Sequence, residues 1–228
     1  MHSNPSNLQI LLEDNHLLLV NKRPGDIVQG DKTGDVPLSE IVKEYIKTHY
    51  DKPGEVFLGV THRLDRPTSG VVAFARTSKA LTRMNAIFAQ KEAKKIYWAL
   101  VQNPPENASG TLIHWLERNA KQNKSYAYPD KRRNAKKAEL DYRIMRQLDR
   151  YYLLEIILKT GRHHQIRAQL AGIGCPVKGD LKYGFSRSNA NGSIHLHARE
   201  LSFVHPVRRE PVCCIAPPPK DPLWMACL

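Results

Sequence analysis

Residues 60–70 read VTHRLDRPTSG. Apolar residues Val56, Phe57, Leu58 and Val60 lead in, and Val71, Val72, Ala73, Phe74 and Ala75 lead out, which is the pattern of two strands joined through a charged loop. Pro67, Thr68, Ser69 and Gly70 supply the turn chemistry that sends the chain sharply back into the sheet. One carboxylate, Asp65, sits in that loop between Arg63 and Arg66, and Arg167 lies on a distant predicted helix that can fold back over it. A neighbouring guanidinium favours the ionised form of a carboxylate, which can then act as nucleophile, base or electrostatic stabiliser. For a lone Asp-Arg pair the commoner fate is a surface salt bridge of small worth.

Working outward, LQILLEDNHLLLVNKRPGD reads as an opening hairpin turning at Asp14-Asn15, with a stop at Pro24-Gly25. In PLSEIVKEYIKTHY the residues Leu38, Ile41, Val42 and Tyr45 recur at helical spacing, with Asp35 or Ser39 as the cap. TSKALTRMNAIFAQKEA carries Leu81, Met84, Ile87 and Phe88 on one helical face, with Thr77 or Ser78 at the N-cap. KKIYWALV and GTLIHWLE read as strands, whereas the basic stretch after them shows little apolar periodicity and reads as an exposed loop. AELDYRIMRQ and YYLLEIILKT alternate strictly enough for a hairpin, GRHHQIRAQLAGIG suits one helix ending at Gly172 or Gly174, and SIHLHARELSFVHP returns to strand. These elements predict an α+β fold, a largely antiparallel mixed sheet with helices inserted at intervals. No internal repeat or composition shift divides residues 1–228, so a single domain is expected.

The 228 residues, 41% of them hydrophobic, suffice for a core of ordinary size. Lys and Arg outnumber Asp and Glu by 35 to 22 and cluster in ERNAKQNKSYAYPDKRRNAKK, the balance of a chain that meets a polyanion, with nucleic acid the leading partner. Cys175, Cys213, Cys214 and Cys227 form no Cys-x-x-Cys pair and follow no signal peptide, so free thiols in a reducing cytosol are expected, without a zinc ribbon or disulfide scaffold. No apolar run approaches the roughly 20 residues of a membrane-spanning helix, so the expected location is the cytoplasm. The ten histidines raise the question of metal, His195 with His197 and His163 with His164 above all, but the partners of a zinc or iron motif are missing and no metal is expected.

HRLDRPTSG resembles the signature of the RluA family of RNA pseudouridine synthases, in which the aspartate of His-Arg-Leu-Asp is the essential catalytic residue. NKRPG resembles that family's early Asn-Lys-Pro-x-Gly turn with an arginine inserted, and KKIYWALV its Lys-x-Tyr strand. TGRHHQIRAQLAGIGCPVKGDLKYG resembles its Gly-Arg-x-His-Gln-Ile-Arg helix with the Gly-Asp-x-x-Tyr-Gly that follows, and LHARELSFVHP its closing strand. The blocks run in family order from about Leu8 to Pro217. One departure is Ala168-Gln169, where many relatives carry a histidine or an arginine followed by a histidine, so local substrate contacts need not transfer.

The resemblance implies a pseudouridine synthase catalytic fold without a separate N-terminal RNA-binding domain, and a reaction without cofactor. A uridine within tRNA or rRNA has its glycosidic bond cut, the uracil turns, and a carbon-carbon bond forms to the same sugar carbon. Asp65 would capture or stabilise the developing positive charge at that carbon, as carboxylates do in glycosidases, or remove a sugar proton to give a glycal. The resemblance assigns Arg167 to keep Asp65 ionised. It assigns Tyr97 to stack on the uracil and to help remove the final proton. A stacked base cannot reach such a loop, so the target is flipped out. His62, Arg63 and Arg66 are then candidates to fill the vacated space or hold phosphates. Arg162, Lys178, Lys182 and residues 121–137 are candidate backbone contacts, and Tyr126 and Tyr128 can stack on unpaired bases. A monomer acting on RNA is expected, and the rival reading is a catalytically inactive RNA-binding protein or RNA-folding chaperone.

Overall fold

The computed structural model describes residues 2–31 and 33–228. In chain order the elements are β1 (Ile10–Glu13), β2 (Leu17–Lys22), α1 (Leu38–His49), β3 (Gly59–Val60), β4 (Ser69–Ala75), α2 (Ser78–Ala89) and β5 (Lys94–Val101). There follow β6 (Ser109–Asn119), β7 (Lys124–Tyr128), β8 (Lys136–Gln147), β9 (Tyr152–Leu158), α3 (Gln165–Gly172), β10 (Leu196–Val204), β11 (Pro211–Ile215) and α4 (Pro222–Met225). The chain forms two compact units, Met1–Lys94 with Ala198–Pro219, and Lys95–His197 with Lys220–Leu228. The expected α+β architecture with antiparallel strands and inserted helices is what forms.

In the first unit, β1 and β2 make the opening hairpin, turned by the Asp14 carboxylate, which accepts the N–H groups of His16 and Leu17 at 2.7 Å each. β2 then pairs antiparallel with β4, placing Lys22 opposite Gly70. Every residue of β2 and β4 is buried, which is why LLLV and VVAFA are unbroken apolar runs rather than alternating ones. One face packs Leu17, Leu19, Val71 and Ala73 against Ala80 and Met84 of α2 and against Leu201, Phe203 and Val212 of the β10–β11 hairpin. Thr77 caps α2 by accepting the Ala80 N–H.

Two expectations need correction here. Neither Asp35 nor Ser39 caps α1: Pro37 holds the cap position without a side-chain bond, and Ser39 is buried inside the helix. The orphan N–H groups of Leu38 and Ser39 instead donate to the backbone carbonyls of Ile27 and Val28, so the preceding loop does the capping. The strand before the charged loop is only Gly59–Val60, because the Thr61 and His62 side chains take over bonding to the β4 backbone at Ala73.

The second unit is an antiparallel ladder in the order β5-β9-β8-β6-β7. About half of the basic stretch read as a loop is strand: residues 117–119 end β6, Lys124–Tyr128 is β7, and Lys136 opens β8, with turns between them. Its sequence shows no apolar alternation because its inward residues are Ser125 and Ala127, one polar and both small. They are small because α3 packs close over them, with Ala127 and Ala171 against Leu116, Ala138 and Ala168. α3 itself starts at Gln165 rather than in the preceding turn, since His164 is left-handed at φ 53°. The Gln165 side chain braces that turn by accepting the Arg162 N–H at 3.0 Å and the Thr160 hydroxyl at 2.8 Å. Trp224 of α4 packs with Leu100, Leu153 and Cys227. All four cysteines are free thiols, and among the described residues no helix is long and apolar enough to cross a membrane.

Gly70 closes the charged loop with φ +117°, and a Cβ there would collide with the backbone N and O of Ala198. Both the backbone angle and the missing space demand glycine. Gly70→Ala is therefore expected to lower stability by more than about 2 kcal/mol, read as a reduced midpoint in urea unfolding.

Candidate active site

The loop of residues 61–68 is built by its own polar groups. Thr61 donates its hydroxyl to the Ala73 carbonyl at 2.7 Å, and His62 Nε2 accepts the Ala73 N–H at 3.1 Å, which puts the ring proton on Nδ1. The His62 ring also rests 5.0 Å from Phe88. Leu64 turns inward and is buried, Arg63 is exposed, and Asp65 is half-buried. The Asp65 carbonyl accepts the Thr68 N–H at 3.0 Å, closing a turn over Arg66 and Pro67. The Arg66 guanidinium is held from outside, 2.6 Å from Asp35 and 2.7 Å from the Thr33 hydroxyl.

Beneath this loop lies Lys22, 1% exposed. Its ammonium donates to the carbonyls of Arg23 at 2.9 Å and Arg66 at 3.1 Å, and the Gly25 N–H donates to the same Arg66 carbonyl at 2.8 Å. Burial pushes the Lys22 pKa down to about 7, opposed by the nearby charges of Asp26 and Asp65. The turn after β2 and the Asp65 loop are thus fastened by one buried ammonium. Lys22 stood in the NKRPG motif without a role. Its signal was the unbroken buried run Leu17–Val20, which carries the strand inward and takes Lys22 with it.

The second unit carries Tyr97 and Arg167. Tyr97 is on β5 opposite Ile156 of β9 and is 8% exposed. Arg167 is no helix-surface cation: it is 4% exposed and forms a bidentate pair with the buried Asp180, Nε to Oδ2 at 2.6 Å and Nη2 to Oδ1 at 2.8 Å. Its guanidinium carbon stands 5.0 Å from the Tyr183 ring, and the Tyr183 hydroxyl accepts the Ser125 N–H at 2.8 Å. Asp180 and Tyr183 belong to GDLKYG, and the thirteen-residue separation of Arg167 and Asp180 follows no helical or strand period that would betray the contact. Among the proposed RNA contacts, Arg162 and Lys182 are exposed and brace themselves on the carbonyls of Lys137 and Asn123. Lys178 is instead drawn partly inside and bonded to Asn189, and burial lowers its pKa.

Two outcomes follow from these buried cations. For Lys22 the folded-state pKa, about 7, lies below its ordinary 10.5, so between those values the unfolded chain holds a proton that the folded chain has released. Stability rises with pH across that window, with a slope of up to about 1.4 kcal/mol per pH unit from this group. Urea unfolding from pH 7 to 10 should show that slope in the wild type relative to Lys22→Met. For Arg167, Asp180→Asn takes the bidentate carboxylate away from a buried guanidinium and should cost about 3–5 kcal/mol, measured in the same way at pH 7.

Residues 16–172 match the RNA pseudouridylate synthase family. The chain is 32% identical to the Ribosomal large subunit pseudouridine synthase D of Xylella fastidiosa over 94% of its own length and 67% of the relative's. It is 31% identical to the tRNA pseudouridine synthase C of Vibrio cholerae over 97% of its own length and 94% of the relative's. The chain spans about two thirds of the length of several other curated relatives. Among solved structures, the Human RNA Pseudouridylate Synthase Domain Containing 4 superimposes with a TM-score of 0.77 at 24% identity, covering 93% of this chain and 89% of that one, a likeness of fold. With a signature loop, a fold and a match over residues 16–172 in agreement, the chain belongs to the RluA family of RNA pseudouridine synthases.

Proposed function

We propose that the protein isomerises a uridine within structured RNA, a tRNA or rRNA element, to pseudouridine, with Asp65 as the catalytic carboxylate. The observation that carries this reading is the Asp65 loop. It presents a half-buried carboxylate on a turn fixed by the Thr61, His62 and Lys22 bonds, within the family match. A carboxylate that must meet an anomeric carbon needs a set position more than a strong base, since misplacement of the reacting groups is itself costly in rate. The reaction is an isomerisation: the bond from the sugar carbon to N1 breaks, a bond from that carbon to C5 forms, and the C5 proton leaves as N1 regains one. It therefore calls for no redox partner or co-substrate.

Asp65 either stabilises the sugar cation directly or draws a sugar proton to give a glycal, and both steps use the ionised carboxylate. Tyr97 stacks on the uracil and helps take the C5 proton, and Arg167 is the guanidinium that favours the ionised carboxylate. The uridine enters by flipping out of its stack, with Arg63, exposed at the crest of the loop, beside His62 and Arg66 at the vacated position. Arg162, Lys178 and Lys182 hold the backbone, a sequence-independent term that weakens with salt. The ribosomal and tRNA names of the relatives support RNA of either kind as the substrate.

The test is Asp65→Ala. Pseudouridine formation, read by carbodiimide adduct mapping of RNA incubated with the protein, should fall by at least about 1000-fold while affinity for that RNA is kept. Activity retained by Asp65→Ala would overturn the assignment, and a wild type that binds RNA without forming pseudouridine in any cellular RNA would favour the inactive RNA-binding protein.

A further inference from the structure

The β6–β7–β8 ladder has two unlike faces. One carries Leu116, Ala127 and Ala138 and lies beneath α3. On the other the register aligns Trp115 with Tyr128 and with Lys137, and Glu117 with Tyr126, so that three rings share the uncovered face. Each ring has a cation beside it: Lys131 Nζ is 5.8 Å from the Trp115 ring, Arg132 Cζ 3.6 Å from Tyr128, and Lys124 Nζ 5.4 Å from Tyr126. Tyr126 is 36% exposed, and Ile113 further along the same face is 48% exposed. The acidic groups of this face away from the rings are neutralised, Glu139 by Lys137 and Asp141 by Lys159. Glu117 stands directly opposite Tyr126, a carboxylate within the face itself.

Resting on the reading of this protein as an RNA-modifying enzyme, we propose that this face is a stacking platform for unpaired nucleotides of the RNA substrate. Planar rings flanked by cations suit a ligand that alternates planar bases with phosphates. The rings take the π-faces of the bases, whatever their sequence, while Lys124, Lys131 and Arg132 take the backbone. Charge complementarity argues for RNA over an acidic protein, because an acidic peptide would use the cations and leave the rings bare. The Arg132 guanidinium, whose carbon lies 3.6 Å from the centre of the Tyr128 ring, is itself a planar group on which a base can stack. A platform of this kind selects the conformational class of the target, a loop or single strand next to the modified uridine, and leaves the chemistry to other residues.

The experiment compares wild type, Tyr126→Ala/Tyr128→Ala and Tyr126→Phe/Tyr128→Phe by fluorescence anisotropy with labelled oligouridylate and with a fully paired RNA duplex at one salt concentration. The alanine pair should weaken oligouridylate binding by about tenfold or more and duplex binding by less than about twofold, and the phenylalanine pair should bind as the wild type does. With substrate RNA, KM should rise by the same factor at unchanged kcat. Wild-type affinity of the alanine pair for oligouridylate would overturn the platform, as would an equal loss for the duplex, which means a charge effect alone. A change of oligomeric state on sedimentation would also overturn it by assigning the face to a second copy of the chain. Failure of the catalytic reading is separate, since it shows as retained activity in Asp65→Ala.

Discussion

A lysine ammonium shut away from water must satisfy its donors with whatever the chain offers, and at Lys22 it is offered carbonyls of two segments far apart in sequence. That necessity fixes the loop around Asp65. β2 delivers Lys22 to the interior, the ammonium captures the Arg66 carbonyl, and Gly25 donates to the same oxygen. The turn that holds Asp65 is therefore anchored one residue from the carboxylate. Gly70, directly opposite Lys22 on β4, lets the chain leave the loop against Ala198 where no side chain would fit.

The second unit repeats the device with a different cation. Arg167 is buried against Asp180 with both bonds of a planar fork made, and Tyr183 flanks the guanidinium while its hydroxyl ties down Ser125. A pair this dry is seldom worth more to stability than well-packed apolar residues of the same volume. What the two bonds add is a fixed orientation of the guanidinium. Burial of both cations puts rigidity into the parts of the chain that carry the family's signature residues.

Much of this was legible in the residues. The unbroken runs of β2 and β4, the Thr77 cap and the alternation of β8 and β9 each state a local preference that the tertiary structure did not overrule. Where reading failed, a partner distant in sequence had changed the local rule. α1 starts without a capping side chain because Ile27 and Val28 carbonyls stand in. β7 hides its alternation because α3 requires Ser125 and Ala127 to be small. Of the residues proposed for the site, His-Arg-Leu-Asp could be read as chemistry because its parts are adjacent. Asp180 and Tyr183, Arg167's partners, could not, since nothing in a sequence period joins residues 167, 180 and 183.

By itself, then, VTHRLDRPTSG and the motifs in order with it determined the family and the antiparallel fold, because both are encoded in residues that are neighbours or repeat at a strand or helix period. The three-dimensional structure alone decided which charges are buried and what each one holds. Lys22, Arg63, Arg66 and Arg167 are interchangeable positive charges in the sequence, and they become a loop clamp, an exposed crest, an outer ion pair and a buried fork only when folding has removed water from some of them and not from others. Desolvation is a property of the packed neighbours of a side chain, and those neighbours come from segments that no local pattern connects.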